Sequence, residues 1–436
     1  MYPNLYYVFK DWFGVEWKGL SVLNTFGLLV AVAFIVAAIV ISSELKRKEK
    51  QGLLSPREEI ITVGKTASIT ELLINALIGF VFGFKVLGLI FSRPEGVNPQ
   101  EYIFSGQGNI LGGILLAIVL GGAKWYEKNK QKLALPERRS VRIWPHDRVG
   151  DIIILGLIFG ILGAKLFDNL ENWDEFVKDP IGRLFSASGL TFYGGLILAA
   201  IAICWYASKR GIKLVHLVDS AAPALMIAYA VGRIGCQVAG DGDWGVYNSA
   251  YVNNDEGVKV RLAKEGEFMQ VLKKDSTYFL EGKVPESNQY TGRISTDLGH
   301  VHNIYFKAPS FLPKWMVAYS YPKNVNADGV KIPGDNDEHN RVLPLPVFPT
   351  PFYETIACSL LFLLLWELRK RVKIPGVIFG IYLILNGLER FTVEKIRVNS
   401  TYPIFGFHPT QAEIISFLLF LTGLCFIIIQ TKRTKA

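Results

Sequence analysis

The sequence predicts an all-α polytopic membrane protein of about nine transmembrane helices, with a small α+β or mostly β head inserted between spans 6 and 7. Half of the 436 residues are hydrophobic, and the mean hydropathy is positive. Several apolar windows are about 20 residues long, the length that crosses about 30 Å of hydrocarbon at about 1.5 Å per residue. A single polar, turn-rich stretch separates the sixth window from the seventh.

The apolar windows define nine candidate spans. They lie at about 22–42, 70–91, 108–123, 150–168, 190–206, 217–236, 354–368, 375–391 and 411–430. The chain therefore divides into an N-terminal segment (1–21), six spans (22–245), the head (246–342) and three further spans (343–436). The first segment is rich in Tyr, Phe and Trp, which suits the membrane interface, and it lacks the basic and apolar regions of a cleaved signal peptide.

The net charge of +9 comes from short basic clusters that flank the apolar segments. Such clusters encode orientation, so nucleic acid is not an expected partner. The links on one side of the membrane carry Lys46, Arg47, Lys48, Lys124, Lys128, Arg138, Arg139, Lys209, Arg210, Arg369, Lys370, Arg371, Lys432 and Arg433. The positive-inside rule then places the N-terminus outside, the C-terminus in the cytoplasm and the head on the outer side.

We expect no metal and no other cofactor. The four cysteines, Cys204, Cys236, Cys358 and Cys425, fall in or at the ends of apolar segments, without the spacing of a disulfide framework or a zinc cluster. His300 and His302 form a pair in the head without matching acidic or thiol ligands. Nothing resembles a phosphate-binding glycine loop that follows a strand.

The chain resembles itself at an offset of about 80 residues. The run TELLINALIGFVFGFK (70–85) matches GDIIILGLIFGILGAK (150–165), and a Gly-Gly pair and a Trp-Tyr pair follow in both copies. Residues 70–126 are therefore interpreted as a parallel duplicate of residues 150–206. Chance similarity between apolar segments is the alternative.

The head differs in composition from the rest of the chain. It is polar and turn-rich, and it holds short strand-like runs such as VKVRL and NIYF. Pro344, Pro346, Pro349 and Pro351 stiffen the return into the seventh span.

The stretch around which the chemistry is expected is VGRIGCQVAGDGDWG (Val231 to Gly245), at the end of the sixth span. Counting residues gives the depth of its arginine. Arg233 lies 14 residues beyond Asp219, and Arg390 lies 15 residues beyond Pro375, so each sits about 21–22 Å up its helix from the cytoplasmic end. Tyr193 and Glu354 open spans 5 and 7 on the same outer side.

Arginine in a membrane needs a partner for its charge, and its planar fork of donors suits phosphate. Arg390, Glu394 and Arg397 are spaced i, i+4 and i+7, which predicts one helix face. A phosphate site at the outer leaflet is the functional interpretation. The alternatives are a structural ion pair for Arg390 and Glu394, and snorkelling of Arg233 to the headgroups. Tyr193 could equally be an interfacial anchor.

Several motifs resemble one family in the order in which they occur. TFYGGL (191–196) is similar to FHGGL of that family, GRIGCQVAGDGDWG to its glycine–arginine signature, FPTPFYE (348–354) to its HPSQLYE stretch, and GVIFGIYLILNGLERFTVEKIR to its penultimate helix. Over roughly residues 150–430 the chain thus resembles the prolipoprotein diacylglyceryl transferases.

That resemblance implies transfer of a diacylglyceryl group from phosphatidylglycerol to the lipobox cysteine of a prolipoprotein signal peptide, with glycerol phosphate leaving. It implies a bacterial cytoplasmic (inner) membrane and contact with membrane lipids. It assigns catalytic roles to Arg233, Arg390 and Tyr193, and substrate-binding roles to Asp241, Glu394, Arg397, Gly194, Gly195, Gly232 and Glu354.

The chain also departs from the family pattern. The histidine of FHGGL is Tyr193 here, the asparagine after Arg-x-Gly is Cys236, and one extra residue precedes Trp244. The loss of the histidine removes the obvious general base. A non-catalytic lipid-binding or transport protein that keeps the fold is therefore the alternative hypothesis.

Overall fold

The computed structural model describes residues 1–92, 102, 105–186, 191–242, 244–254, 257–274, 305–397, 402 and 406–435. His300 and His302 lie outside this part of the chain. The helices are α1 (Leu5–Phe13), α2 (Thr25–Lys50), α3 (Ile69–Phe91), α4 (Ile110–Lys130), α5 (Val149–Glu171), α6 (Trp173–Lys178), α7 (Pro180–Phe185), α8 (Phe192–Lys209), α9 (Leu214–Ala239), α10 (Glu267–Lys274), α11 (Lys314–Val317), α12 (Thr350–Arg371), α13 (Val377–Glu394) and α14 (Gln411–Lys435), with short 3₁₀ turns at Lys18–Val22 and Pro145–Arg148.

Each of the nine predicted spans coincides with a helix. Eight helices among the described residues are long and apolar enough to cross a membrane. The ninth, α13, is the exception because Glu389, Arg390 and Glu394 lie within its 18 residues. The prediction of a polytopic, mainly helical membrane protein is confirmed, and the exception, α13, is one of the spans predicted to carry site residues.

The chain folds as two compact units. The first comprises Met1–Glu16, Leu23–Ile41 and Val215–Ala436, and the second comprises Trp17–Val22 and Ser42–Leu214. The first unit contains helices α9 and α12 to α14 together with the head. The second contains two pairs of long helices, α3 with α4 and α5 with α8.

The two halves of the second unit contain the same elements in the same order, a strand followed by a helix pair. The sequence predicted the helix pairs but not the strands. A strand precedes each helix pair, β1 (Arg57–Val63) before α3 and β2 (Glu137–Ile143) before α5. The strands pair antiparallel, and their register sets Ile60 opposite Ser140, which is 80 residues further on. Since 80 is also the offset of the repeat, the two strands are related by a local two-fold axis.

Close glycine contacts join each helix pair. A Cβ on Gly83 of α3 would lie 2.2 Å from the carbonyl oxygen of Gly112 on α4, and a Cβ on Gly163 of α5 would lie 2.4 Å from that of Gly194 on α8. Such contacts let helix backbones approach where lipid supplies no hydrophobic driving force. Both pairs therefore use glycine in the same way.

The head is built from short strands around an aromatic core. Strands β3 (Tyr247–Asn248) and β6 (Tyr305–Phe306) pair parallel, while β4 (Tyr251–Asn253) with β5 (Val260–Leu262) and β7 (Val330–Lys331) with β8 (Arg341–Val342) pair antiparallel. Its buried residues include Trp244, Tyr247, Phe268, Tyr321 and Val347. Three of the four two-stranded sheets in the described part of the chain lie in this head, in agreement with the small α+β head that was predicted.

Candidate functional site

Helix α9 and the glycine-rich run that ends it are fixed to α13 and its exit at two points. At one end, the Asp219 carboxylate of α9 accepts hydrogen bonds from the Gly376 and Phe379 amides, at 2.8 and 3.0 Å, and so caps the start of α13. Gly376 has φ +92°, a left-handed conformation that glycine adopts without strain. Gly376 therefore permits this cap, and it also packs closely on α14, since a Cβ there would lie 2.8 Å from Gln430 and 3.0 Å from Phe426. Gly380 packs on the same helix, against Gly423.

At the other end, three segments hydrogen-bond side by side. The Gly245 amide donates to the Phe348 carbonyl at 2.8 Å, the Phe348 amide to the Val246 carbonyl at 3.0 Å, and the Val246 amide to the Ile396 carbonyl at 2.9 Å. A Cβ on Gly245 would lie 2.7 Å from the Ile396 carbonyl oxygen, so this position has no room for a side chain. The end of α9, the entry to α12 and the exit of α13 are thus held in register.

Glu354 of α12 contacts three arginines. Its side chain is fully buried. Arg233 Nε lies 2.7 Å from Oε2, and Arg390 Nη1 donates to Oε1 at 3.1 Å. Arg397 Nη1 lies 3.6 Å from Oε1. Counting from the cytoplasmic end predicted that Arg233 and Arg390 lie at one level, and the structure joins them through one carboxylate.

Tyr229 and Glu394 complete this arginine cluster. The Tyr229 hydroxyl donates to Glu354 Oε1 at 3.0 Å and accepts from Arg233 Nε at 3.2 Å. Glu394, also fully buried, lies 3.1 Å from Arg390 Nη2. Three guanidinium groups thus face the carboxylates of Glu354 and Glu394, which leaves one positive charge in excess among these five groups. An anion is the ligand that such a site attracts.

Arg397 reaches the cluster by a different route from the one predicted. Helix α13 ends at Glu394, so Arg397 does not continue the helix face at i+7. It lies in an extended bridge opposite Gly245 instead. The hydrogen bond from the Val246 amide to the Ile396 carbonyl holds the chain in this extended course, and the Arg397 guanidinium is still directed to Glu354.

Asp241 connects to the cluster through a cysteine. The Cys236 sulfur lies 3.5 Å from Arg233 Nη1 and 3.8 Å from Asp241 Oδ2. Burial raises the pKa of Asp328 in the head to about 7, Arg341 opposes this rise and Asp241 adds to it, so Asp241 and Asp328 repel each other. Asp241 is therefore placed between the arginine cluster and a buried carboxyl of the head.

The remaining predicted site residues lie elsewhere or remain open. Gly232 borders open space, since a Cβ there would meet nothing within 4 Å. Tyr193 starts α8 in the second unit, where its ring packs edge-on against Phe192 at 5.7 Å between centroids. Gly194 and Gly195 follow it, and their Cα positions face α5, at Gly163 and Gly160. Both glycines pack closely against α5, and their role in substrate binding stays a prediction.

Sequence reasoning missed Tyr229, Cys358 and Glu389. Glu389 is only 8% exposed, and neither carboxylate oxygen has a hydrogen-bond partner within the described residues. Cys358 is fully buried, one helical turn beyond Glu354. A signal was present: Tyr229 lies one turn before Arg233, and Glu389 is an acidic residue within a predicted span.

Fold and site together define a multi-pass membrane protein with a buried arginine–glutamate cluster at one end of its helices. A model of the prolipoprotein diacylglyceryl transferase family matches residues 110–429. The chain belongs to that family, and the resemblance seen in its motifs is confirmed.

Curated relatives carry the name phosphatidylglycerol–prolipoprotein diacylglyceryl transferase. One from Leptospira interrogans is 35% identical over 117 residues, 22% of this chain and 37% of the relative. One from Shouchella clausii is 24% identical over 333 residues, 76% of this chain and 90% of the relative. One from Streptococcus pyogenes is 23% identical over 331 residues, 75% and 90%. The chain thus spans about a third of the Leptospira relative and nine-tenths of the other two.

Proposed function

We propose that this protein transfers a diacylglyceryl group from phosphatidylglycerol to the lipobox cysteine thiol of prolipoproteins. The acceptor gains a thioether, and glycerol phosphate is released. The observation that carries the proposal is the meeting of Arg233, Arg390 and Arg397 at Glu354. The names of the relatives support the same donor and acceptor.

Two arginines have the chemistry that the donor lipid requires. The phosphodiester of phosphatidylglycerol carries one negative charge, and the leaving glycerol phosphate carries up to two. Arg233 and Arg390 would hold the phosphoryl oxygens and stabilise the charge that develops as the carbon–oxygen bond breaks. Their side chains are 12% and 22% exposed, so a headgroup could reach them while most bulk water stays excluded.

The acidic residues would position these arginines. Glu354 and Glu394 fix the guanidinium groups in advance, which removes the cost of ordering them when the lipid binds. Asp241, linked to Arg233 through Cys236, and Arg397, held by the bridge to Gly245, would complete the walls of the headgroup site. Tyr193 in the second unit stays a candidate for a further contact with substrate.

The membrane setting is part of the proposal. Basic links on one side place the N-terminus outside a bacterial cytoplasmic membrane and the C-terminus in the cytoplasm. The arginine cluster then faces the outer leaflet, where an exported prolipoprotein and a phosphatidylglycerol headgroup can meet. Lipid would enter laterally between the helices.

The test is the Arg390→Ala variant, purified, folded and supplied with phosphatidylglycerol vesicles and a lipobox peptide. We expect thioether formation to fall by at least about 100-fold, because one charged donor to the phosphoryl group is lost. Arg371→Ala is the matched control, since Arg371 is 74% exposed at the other end of α12 and pairs with Glu367. Equal turnover of Arg390→Ala and wild type would refute the assignment.

A lipid-binding or transport role is the second candidate, and Tyr193 in place of the family histidine is the feature that favours it. Growth complementation separates the two. A strain depleted of its own transferase should grow when it expresses this protein, and failure at normal expression would favour the binding role.

A further inference from the structure

The departure at Tyr193 leaves the acceptor thiol without the family's usual base. A thiol of ordinary pKa, about 8.5, is mostly protonated at neutral pH, and the thiolate is the nucleophile. A carboxylate close to the headgroup site could remove the proton, provided that it is not already committed to an arginine.

Glu354 and Glu394 are both committed. Glu354 is bound by Tyr229, Arg233 and Arg390, and Glu394 lies 3.1 Å from Arg390. Protonation of either would release a buried guanidinium from its counter-charge, which is costly. Neither is suited to accept and return a proton in each catalytic cycle.

Glu389 differs from both in its surroundings. It is buried too, with 8% of its surface exposed against 0% for each of the other two, yet no described residue donates a hydrogen bond to either of its oxygens. Buried carboxylates are nearly always paired or hydrogen-bonded, so an unpartnered one calls for an explanation in function. Glu389 follows Ile378, Tyr382 and Leu385 at helical spacing, a stripe that packs into the core of α9 and α12.

Charged residues face Glu389 from α9, from α12, from its own helix α13 and from the segment that follows α13. Arg233, Arg390, Arg397 and Glu354 interact with it electrostatically, as do Tyr229, Cys358 and Tyr382. The two tyrosines and the cysteine are weak acids that stay protonated at neutral pH. Glu389 thus faces both arginines and a carboxylate, although no described residue hydrogen-bonds to its oxygens.

We propose that Glu389 is the general base that accepts the thiol proton of the acceptor cysteine. This inference rests on the proposed function. The proton moves from sulfur to the carboxylate, the thiolate attacks the glycerol carbon, the carbon–sulfur bond forms and the carbon–oxygen bond to phosphate breaks. The glycerol phosphate leaves with the electron pair of that bond and afterwards carries away the proton from Glu389.

The transfer keeps the charge near the arginines constant. Before it, Glu389 and the phosphodiester carry one negative charge each. After it, Glu389 is neutral and the phosphomonoester carries two. The three arginines therefore face the same total charge throughout, and the reaction needs no compensating ion.

The test compares wild type with Glu389→Gln on a lipobox peptide and on the same peptide with selenocysteine in place of the cysteine. A selenol is already ionised at neutral pH and needs no base. On the thiol peptide we expect kcat of the variant to fall about 10²–10⁴-fold at pH 7 with KM kept, and the gap to narrow as pH rises toward the thiol pKa. On the selenol peptide the loss should stay below about 10-fold.

Controls separate the possible failures. Glu367→Gln removes a carboxylate at the exposed end of α12 and should match wild type. Glu389→Asp, which restores the carboxylate, should recover part of the activity. Equal rates of Glu389→Gln and wild type at every pH would overturn the base assignment, and so would an equal loss on both peptides, which indicates a structural role. An inactive wild type would instead overturn the proposed function itself.

Discussion

Each compact unit contains a glutamate that binds at least two arginines, and the two glutamates differ in burial. Glu354 in the first unit is fully buried between Arg233 and Arg390. Glu59 in the second unit is 25% exposed, and it lies 2.6 Å from Arg148 and 3.1 Å from Arg210. Water screens the second group but not the first.

We interpret this difference as one between a proposed binding site and a structural contact. Charges that are taken out of water cost several kcal/mol each, and their mutual attraction seldom does more than offset this cost. A partly exposed group such as the one at Glu59 costs less to maintain, and it joins β1 to the start of α5 and the end of α8. The buried group at Glu354 is costly, and we interpret that cost as the preparation of an anion site.

The largest expected effect is the loss of stability when the buried carboxylate of Glu354 is removed. Glu354→Gln leaves Arg233 and Arg390 without their shared counter-charge, so unfolding free energy should fall by about 3–5 kcal/mol. Glu59→Gln should cost less, about 1 kcal/mol, because Glu59 and Arg210 are partly exposed and the buried Arg148 keeps its hydrogen bond to the Tyr206 hydroxyl. Denaturant unfolding in detergent measures both, and equal losses would show that burial does not set the cost.

A smaller effect is expected where the second unit relies on backbone contact. Alanine normally stabilises a helix by about 1 kcal/mol relative to glycine. At Gly163 the new Cβ would lie 2.4 Å from the Gly194 carbonyl oxygen, so Gly163→Ala should instead destabilise the protein by about 1–3 kcal/mol.

Gly160→Ala is the matched control on the same helix, since a Cβ there would meet nothing within 4 Å. We expect it to be neutral or stabilising in the same thermal unfolding measurement. If the two variants moved the melting temperature in one direction, the glycine contact between α5 and α8 would not be what holds this pair together.

The smallest effect is a pH dependence of stability that comes from Asp328, a buried carboxyl group in the head of the first unit. The pKa of Asp328 is raised to about 7, chiefly by burial, from its ordinary value of 3.8. The folded state therefore binds a proton that the unfolded state has lost, and stability should fall as pH rises from about 4 to 7.

Between pH 5.5 and 7 this fall should amount to about 1–2 kcal/mol. The free energy of unfolding is measured across that pH range for wild type and for Asp328→Asn. Subtracting the two curves removes the contribution of the other titrating groups and leaves that of Asp328. If the free energy of unfolding depended on pH in the same way in Asp328→Asn as in wild type, another group would be responsible and the prediction would be wrong.

The sequence was sufficient for the helices and for the height of the arginines. Hydrophobic windows of membrane length predicted each of the nine long helices, since lipid leaves the backbone few alternatives. A rise of about 1.5 Å per residue predicted that Arg233 and Arg390 share a level, and both contact Glu354.

What the sequence could not supply was direction around the helix axis and the points where regular structure stops. Glu354 was predicted to open span 7 on the outer side, but not to face the arginines, because counting residues gives depth along a helix and not the direction in which a side chain points. Arg397 was placed on a helix that ends three residues earlier, at Glu394. Strands β1 and β2 were missed because both are short, charged and exposed on nearly every residue, so they lack the alternation of a half-buried strand.

The most direct measurement is a quantitative assay of both products by the purified wild-type protein. Vesicles with labelled phosphatidylglycerol and a lipobox peptide should yield a diacylglyceryl thioether on the cysteine and glycerol phosphate in equal amounts. A matched peptide with serine in place of the cysteine should yield neither. Tight binding of phosphatidylglycerol without either product, in protein that is folded and correctly inserted, would contradict the account and leave a lipid-binding protein.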